Sequence, residues 1–460
     1  MRPRNQPARD QLLALLGRTP RARAADLAAA LKVSVPTLHR LLQELPAGVV
    51  LSAGRGRRTR YALRRALRGY LPDIPLYAID TAGDAILLSR LALFQPKGVL
   101  LPLTGSVWPV PRDAQDGWWD GLPYPIYDMR PQGYMGRQFA RTEYRQLDIS
   151  EDLREWSDDD VIFVLTRAGS DVSGNLLLGN PAYDRWLRAK LAPAEPLREA
   201  SRGTRYAELA QDALAGGLVG SSAAGEFPKF AALRHRAEQV TPHVLVKFSG
   251  AGDAAAERRW ADLLVCEHLA LERAAGLPGA ASARSGIVQH GGRTFLEVER
   301  FDRVDRFGRL PLCSLDALNL AFLGEATTDW TRLATRLRDE GLVDAETVRT
   351  IEHLWWFGRL IGNTDMHLGN LSFFPQSTLR LAPAYDMLPM GYAPLPGGEV
   401  PQRDFEPPLP LPAQREIWQV ACSAAIAFWR EASADRRIST AFQAVCAAKV
   451  PELNDIAARV

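Results

Sequence analysis

Along the first 45 positions apolar residues recur at helical spacing in three short stripes: Leu12, Leu13, Leu15 and Leu16; Leu27, Ala30 and Leu31; and Val35, Leu38, Leu41, Leu42 and Leu45. Ser34 stands where the third helix begins and can cap it, with Val35 and Pro36 suited to a first turn. At Val49-Val50-Leu51 and Thr59-Arg60-Tyr61-Ala62-Leu63 the pattern changes to strand-like runs that flank a glycine-arginine tip, Ala53-Gly54-Arg55-Gly56-Arg57-Arg58. Helix, turn, helix and hairpin in that order predict a winged helix-turn-helix over residues 1–70.

Tyr70-Leu71-Pro72-Asp73-Ile74-Pro75 reads as a linker, because its two prolines interrupt helix and strand alike. Beyond it, strands are expected at Leu76–Asp80, Ala85–Ser89, Gly98–Leu103, Val161–Thr166, Val244–Phe248 and Thr294–Val298, with helical patterns between them in no regular alternation. From Leu312 the periodicity is mostly helical, interrupted by a proline-rich loop over Pro394–Pro412 and resumed from Glu416. The fold class is therefore α+β, with a mixed region at 76–310 and a mainly helical one at 311–460. No internal repeat of solenoid period is found.

The 460 residues, 47% apolar and 24% charged, have the make-up of a soluble globular chain of several domains. Cys266, Cys313, Cys422 and Cys446 lie far apart and form no CxxC pair, so neither a zinc ribbon nor a disulfide framework is expected. No apolar run is long enough to span a bilayer, and no signal-like stretch follows the basic Met1–Gln6. A cytoplasmic protein with no membrane partner is the expectation. The net charge of +3 conceals an asymmetry: residues 1–70 hold 15 Lys and Arg against Asp10, Asp26 and Glu44, whereas the remainder is net acidic. A polyanionic partner, duplex DNA first, is thus expected at the N-terminal module.

The candidate chemistry lies far downstream. Asp365 precedes Asn370 by five positions in a polar loop between apolar helices, and Asp386 follows Asn370 by sixteen. Phosphoryl transfer needs an aspartate to orient the attacking hydroxyl, plus an amide oxygen and a second carboxylate to hold Mg²⁺ against nucleotide phosphates. These three residues supply that set in that order, although Asx-turns and helix caps use the same residue types. Upstream, Lys247 sits within His243-Val244-Leu245-Val246-Lys247-Phe248, placed either to reach bound phosphates or to snorkel to solvent. Before it, Gly216–Lys229 is rich in glycine and serine, as suits a phosphate-cradling loop or a surface loop, and contains no Walker A sequence.

Four segments in order resemble the HipA-type serine/threonine kinases of bacterial toxin–antitoxin systems: the Ser222-to-Lys229 loop, Glu297-Val298-Glu299-Arg300-Phe301-Asp302-Arg303, the Asn363-to-Asn370 loop, and Tyr385-Asp386. The resemblance runs from about Leu76 to the C-terminus. It implies a bilobal kinase-like domain, with an N-lobe at 76–310 and a catalytic C-lobe at 311–460, that uses ATP and Mg²⁺ to phosphorylate a protein substrate. It further implies Asp365 as the catalytic base and Asn370 and Asp386 as magnesium ligands. Lys247 would meet the ATP phosphates, Glu299 to Phe301 the adenine, and His367 would lie beside the nucleotide, with Ala224, Gly225, Lys229 and Tyr385 as further contacts. Ser222, with Ser221 beside it, aligns with a serine whose autophosphorylation switches such kinases off. A separate antitoxin is another partner that the resemblance implies. Glu267 is a candidate to pair with Lys247, in competition with Glu257 and Glu272.

The chain also departs from that family. Glu226-Phe227-Pro228-Lys229 stands where Ala-Gln-Glu-Lys is common, no His-Arg precedes Asp365, and no Phe-Gly follows Asp386. An N-terminal winged helix resembles the YjjJ-like branch, as do Trp119–Pro123 and Asp128–Gly133, to which the sequence assigns no chemical role. For DNA, Thr37, His39, Arg40 and Gln43 lie off the leucine stripe and suit a major groove, while Arg55, Arg57, Arg58 and Arg60 suit phosphates or the minor groove. The competing reading is a basic module that merely docks onto its neighbour. His235, His243, His268, His290 and His353 lack metal-ligand spacing, and Trp355-Trp356-Phe357 falls on a core-like apolar pattern. The expected activity is an ATP-dependent protein kinase with a fused DNA-binding domain for autoregulation; the alternative is a DNA-binding regulator whose kinase-like part senses nucleotide without turnover.

Overall fold

The computed structural model describes residues 6–70, 73–215, 227–235, 242–401 and 406–460. The three apolar stripes form α1 (Gln6–Arg18), α2 (Ala24–Ala30) and α3 (Val35–Glu44). Ser34 caps α3, its Oγ accepting from the Thr37 backbone N–H at 3.3 Å. Strands β1 (Ala22–Arg23), β2 (Val50–Ala53) and β3 (Arg60–Leu63) pair antiparallel in the order β1-β3-β2. Leu12, Leu16, Leu27, Leu38 and Leu41 fill the space between helices and sheet and are almost fully buried.

A five-stranded antiparallel sheet follows, made of β4 (Ile74–Ile79), β5 (Ala85–Leu93), β6 (Val99–Leu100), β7 (Trp118–Trp119) and β8 (Leu176–Leu178) in the order β7-β6-β5-β4-β8. Strand β4 already begins at Ile74, so the segment read as a linker ends sooner than its two prolines imply. Pro75 is tolerated there because its carbonyl is what the strand uses, accepting from Gly179 N at 2.8 Å. Helices α4 (Tyr124–Tyr127), α5 (Gly133–Leu147), α6 (Asp158–Ala168), α7 (Asn180–Leu191) and α8 (Arg202–Ala215) belong to this region; α6 and α7 pack on the sheet, whereas α5 and α8 reach the next one. Val161–Thr166, expected as a strand, lies inside α6. Ser157 and Asp160 form a capping box that starts a helix, and Val161, Ile162, Val164 and Leu165 are then buried at helical spacing.

The N-terminal module is held to this sheet by backbone and side chains together. Gln95 N donates to Leu63 O at 2.8 Å and Arg65 N to Leu93 O at 2.9 Å, so β3 is carried on into the end of β5. Ala62, Phe94 and Trp118 share a small core. Arg65 pairs with Asp159 (Nη2 to Oδ1, 2.8 Å) and Arg68 with Asp160 (2.9 Å), both on the first turn of α6, and Arg21 pairs with Asp120 at 2.7 Å.

A second antiparallel sheet, ordered β11-β12-β10-β9, comprises β9 (Lys229–Leu233), β10 (His243–Phe248), β11 (Ser285–His290) and β12 (Arg293–Glu299), with α9 (Ala255–Ala274) between β10 and β11 in sequence. Side chains alternate along β10. Val244, Val246 and Phe248 pack with Tyr206, Ala210 and Phe295, which leaves Lys247 on the α9 side. The hairpin β13 (Arg303–Val304) and β14 (Gly308–Arg309) leads to β15 (Cys313–Ser314), α10 (Leu315–Leu318) and a π-helical turn at Asn319–Leu323. Helices α11 (Trp330–Asp339), α12 (Ala345–Leu360), α13 (Arg415–Ala434) and α14 (Thr440–Arg459) then enclose a small sheet, β15-β16-β17, whose later strands are β16 (Ser372–Phe374) and β17 (Arg380–Leu381). Trp356, Phe357, Trp418 and Trp429 are buried here, in the core role expected of the aromatic cluster. Among the described residues no helix is long and apolar enough to cross a membrane.

Candidate active site

Strand β10, helix α9 and the two loops that flank β16 and β17 converge on one side chain. Lys247 Nζ donates to both oxygens of Glu267, at 2.7 and 2.8 Å, and to Asp386 Oδ1 at 2.5 Å. Glu267 is wholly buried, whereas the Asp386 side chain is 35% exposed, so the ammonium bridges the interior to a partly exposed carboxylate. Of the competing acids, Glu257 accepts from Ala254 N at the start of α9 and Glu272 lies 3.7 Å from His268. Burial pushes the Glu267 carboxyl up to about 7 against the pull of Lys247. At Asp386 burial would do the same, but Lys247 and then Lys229 outweigh it and hold the group at about 2. The Lys247 ammonium is stabilised well above its ordinary range, because Asp386 and Glu267 together outweigh its own burial.

The loop after α12 is organised by amides. Gly362, at φ +76°, turns the chain out of the helix. Asn363 Oδ1 accepts from Asp365 N at 3.0 Å, and its Nδ2 donates to Asp386 O at 3.3 Å, which ties the two acidic loops together. Asp386 itself has φ 52°, a left-handed conformation that aspartate tolerates better than most residues. Asn370 is buried and donates through Nδ2 to Asp365 O at 2.7 Å, while the Asp365 side chain stands at an exposed position. His367 is exposed; its Nδ1 accepts from Gly369 N at 3.1 Å and caps the turn that ends at Asn370.

Phe301 stands with its ring 5.5 Å from Tyr385 and 6.0 Å from Phe374. The Tyr385 hydroxyl is committed to the loop, donating to Gly369 O at 2.5 Å and lying 2.7 Å from Ser372 Oγ. Glu299 N donates to Arg284 O at 2.8 Å as β12 ends, and Lys229 is opposite Lys247 in the β9–β10 register. Beneath Phe301, Asp302 accepts from Arg300, Arg303 and Gly174 N, and Asp171 accepts from Arg303 at 2.7 Å and Arg300 at 3.1 Å. Ala224, Gly225, Ser221 and Ser222 lie outside the described residues.

Two family models match this chain: YjjJ-like toxin, middle domain, over residues 71–187, and HipA-like C-terminal domain, over residues 221–449. Toxin YjjJ of Escherichia coli (strain K12) is 38% identical over 445 residues, which is 96% of either chain. The chain belongs to the YjjJ-like toxin family. Among solved structures, this YjjJ-like chain is similar to one in the Shewanella oneidensis MR-1 complex of HipA, HipB and operator DNA, with 14% identity, 84% of this chain and 96% of that one covered, and a TM-score of 0.47. It is also similar to the Helicobacter pylori proinflammatory kinase CtkA, with 11% identity, 49% and 87% covered, and a TM-score of 0.34. The YjjJ-like middle domain contains Trp119–Pro123, Asp128–Gly133 and Asp171, and the HipA-like domain contains Lys247, Glu267, Asn363, Asp365, Asn370 and Asp386.

The N-terminal face of the YjjJ-like chain differs in part from expectation. His39, Arg40 and Gln43 are exposed on α3, and His39 and Gln43 join Leu42, Val50, Ser52 and Tyr61 around an open pocket of about 250 Å³. Arg55, Arg57 and Arg58 are exposed at the hairpin tip. Thr37 is instead spent on the cap, 2.9 Å from Ser34 Oγ, and Arg60 turns inward to donate to Arg21 O at 3.3 Å. Sequence reasoning quoted Asn363 and Asp128 within longer segments but gave neither a role, although the offset of two from Asn363 to Asp365 is an Asx-turn signal, and it passed over Asp171, which no local pattern marks.

Proposed function

We propose that this YjjJ-like chain is an ATP-dependent serine/threonine protein kinase of the HipA type. In this reading residues 1–70 are a winged helix that binds duplex DNA, 76–310 form the N-lobe and 311–460 the catalytic C-lobe. The observation that carries it is Lys247 bridging the buried Glu267 to Asp386, with Asp365 and Asn370 on the loop that Asn363 ties to Asp386. A structural ion pair would not need the second acid to be partly exposed. Lys247 positions ATP phosphates, Asp365 accepts the proton of the attacking hydroxyl, and Phe301 with the ring of Tyr385 packs the adenine beside Glu299 and His367.

The residues present fit Mg²⁺. Asn370 Nδ2 is spent on Asp365 O, which orients its amide oxygen, and Lys247 occupies only one oxygen of a partly exposed Asp386. Two oxygen donors beside substrate phosphates are the usual protein share of a magnesium site, and no cluster of three His, Cys, Asp or Glu is found among the described residues. Bound there, the ion would neutralise developing charge on the phosphoryl group. Incubating the purified chain and a cell lysate with γ-labelled Mg-ATP tests the reading. A labelled protein band is expected; a labelled small product would redirect it to a small-molecule kinase, and no label would leave a nucleotide-sensing regulator.

A further inference from the structure

The segment Tyr124–Arg130 of the middle domain, for which the sequence offered no chemistry, reaches across to the strand beside the catalytic loop. Asp128 closes α4 and accepts twice from Ser314: from the backbone N–H at 2.5 Å and from the hydroxyl at 2.7 Å. Tyr127 makes a second tie, its hydroxyl donating to Asp316 at 3.0 Å, and Arg130 stacks 3.5 Å over the Tyr127 ring. Ser314 is also the N-cap of α10.

What Ser314 holds is the catalytic loop. Ser314 pairs with Ser372 in the β15–β16 register, and the next residue, Leu315, donates its N–H to Leu371 O at 2.7 Å, one position beyond Asn370. Ser372 in turn meets the Tyr385 hydroxyl that grips Gly369 O. Asp128 therefore lies two hydrogen bonds from the backbone around Asn370, through a strand only two residues long. Cys313 and Leu315 on either side of Ser314 are fully buried in the main core, so Ser314 is the polar position of this strand and its two polar groups are taken up by Asp128. We propose that Asp128 is a positioning residue: by gripping both polar groups of Ser314 it sets where Asp365 and Asn370 stand relative to Asp386. This rests on the kinase reading above. It assigns the YjjJ-like middle domain a part in the chemistry of the HipA-like domain. The grip needs an acceptor for the backbone N–H and a second polar atom for the hydroxyl, not a negative charge as such. Burial already pushes the Asp128 carboxyl up to about 6, against the hydrogen bonds from Ser314.

The test is the initial rate of label transfer from γ-labelled Mg-ATP to protein, with the chain itself and soluble lysate proteins both counted, across ATP concentrations. Asp128→Ala is expected to lower the maximal rate about tenfold and to leave half-saturating ATP within about twofold, since the loop is misplaced while the nucleotide contacts remain. Asp128→Asn is expected to restore most of the rate, its amide oxygen accepting from Ser314 N and its amide N–H donating to Ser314 Oγ. A wild-type maximal rate in Asp128→Ala, a change confined to half-saturating ATP, or an Asn variant as slow as Ala would each overturn the proposal while leaving the kinase reading in place. Should Asp128→Ala fail to fold, Asp128→Glu keeps the charge and displaces the oxygens by one methylene, and an unchanged rate there overturns it equally. No transfer by the wild type would overturn the kinase reading and this proposal with it.

Discussion

Replacing Lys247 by methionine removes the cation that bridges Glu267 and Asp386. Breaking a buried pair on one side leaves an uncompensated charge and typically costs about 3–5 kcal/mol. Here the loss depends on pH, and its sign follows from Glu267. Burial raises the folded-state Glu267 carboxyl to about 7 from 4.5 even with Lys247 present. Its contribution to stability is therefore full below pH 4.5 and disappears as pH rises through 7. Without Lys247 that value rises further, so the destabilisation of Lys247→Met should be near its full size at pH 8 and shrink towards pH 5, where Glu267 carries its proton in both proteins. Asp386 works in the opposite sense: held at about 2 against 3.8, it lends stability above 3.8 that is lost as pH falls through 2, below the window used here. Urea denaturation followed by tryptophan fluorescence at pH 5 and pH 8 reads the difference. Adding Glu267→Leu to Lys247→Met should recover most of the pH 8 loss, because an apolar pair leaves no ionised Glu267 in the interior and Asp386 is partly exposed. A loss equal at both pH values, or no recovery in the double variant, would refute the argument.

Asp365→Ala should lower phosphoryl transfer by about 100-fold or more and keep Mg-ATP binding, whereas Asp386→Ala should weaken that binding as well; isothermal titration beside the label assay separates them. Alanine at Arg55, Arg57 or Arg58 should each reduce the log–log salt slope of duplex binding by about 0.9 per lost phosphate contact, while alanine at Arg60, which faces inward, should leave the slope unchanged. Mass spectrometry after incubation with Mg-ATP is expected to find phosphate on Ser222 or Ser221 in the wild type and not in Asp365→Ala, with the transfer rate falling as about −1.5 to −2 charges accumulate beside the phosphates.

What was legible in the sequence was local. The leucine stripes and the Ser34 cap predict three helices because amphipathic spacing and an N-cap are properties of a few adjacent residues. Lys247 could be placed on a strand, but its partner could not be chosen, since only the packing of α9 against β10 separates Glu267 from Glu257 and Glu272. Val161–Thr166 was misread because a short apolar run suits a strand or a buried helix, and the deciding signal, Ser157 with Asp160, begins outside the run. Asp128 and Ser314 meet across 186 positions, a distance over which one sequence carries no trace of contact. The basic excess of residues 1–70 was visible, yet its division was not: Arg21, Arg65 and Arg68 face Asp120, Asp159 and Asp160, and only part of the charge remains for a nucleic acid.

Helix α6 is gripped at its first turn by Arg65 and Arg68 of the N-terminal module, and the turn that follows its last residue ends at Asp171, which is gripped by Arg300 and Arg303 beside Phe301. Eleven helical residues make a rod about 16 Å long, stiff on the scale of the contacts at its two ends. Were a ligand to shift the rod at one end, the contacts at the other would have to respond, and thermodynamic reciprocity would leave no freedom of direction. Under the proposed function, with nucleotide in the cleft and duplex DNA on the N-terminal module, whatever factor nucleotide imposed on the affinity for DNA, DNA would impose on the affinity for nucleotide. In that reading the DNA would act as an effector of the cleft, with the same strength and sign as the cleft acts on the DNA.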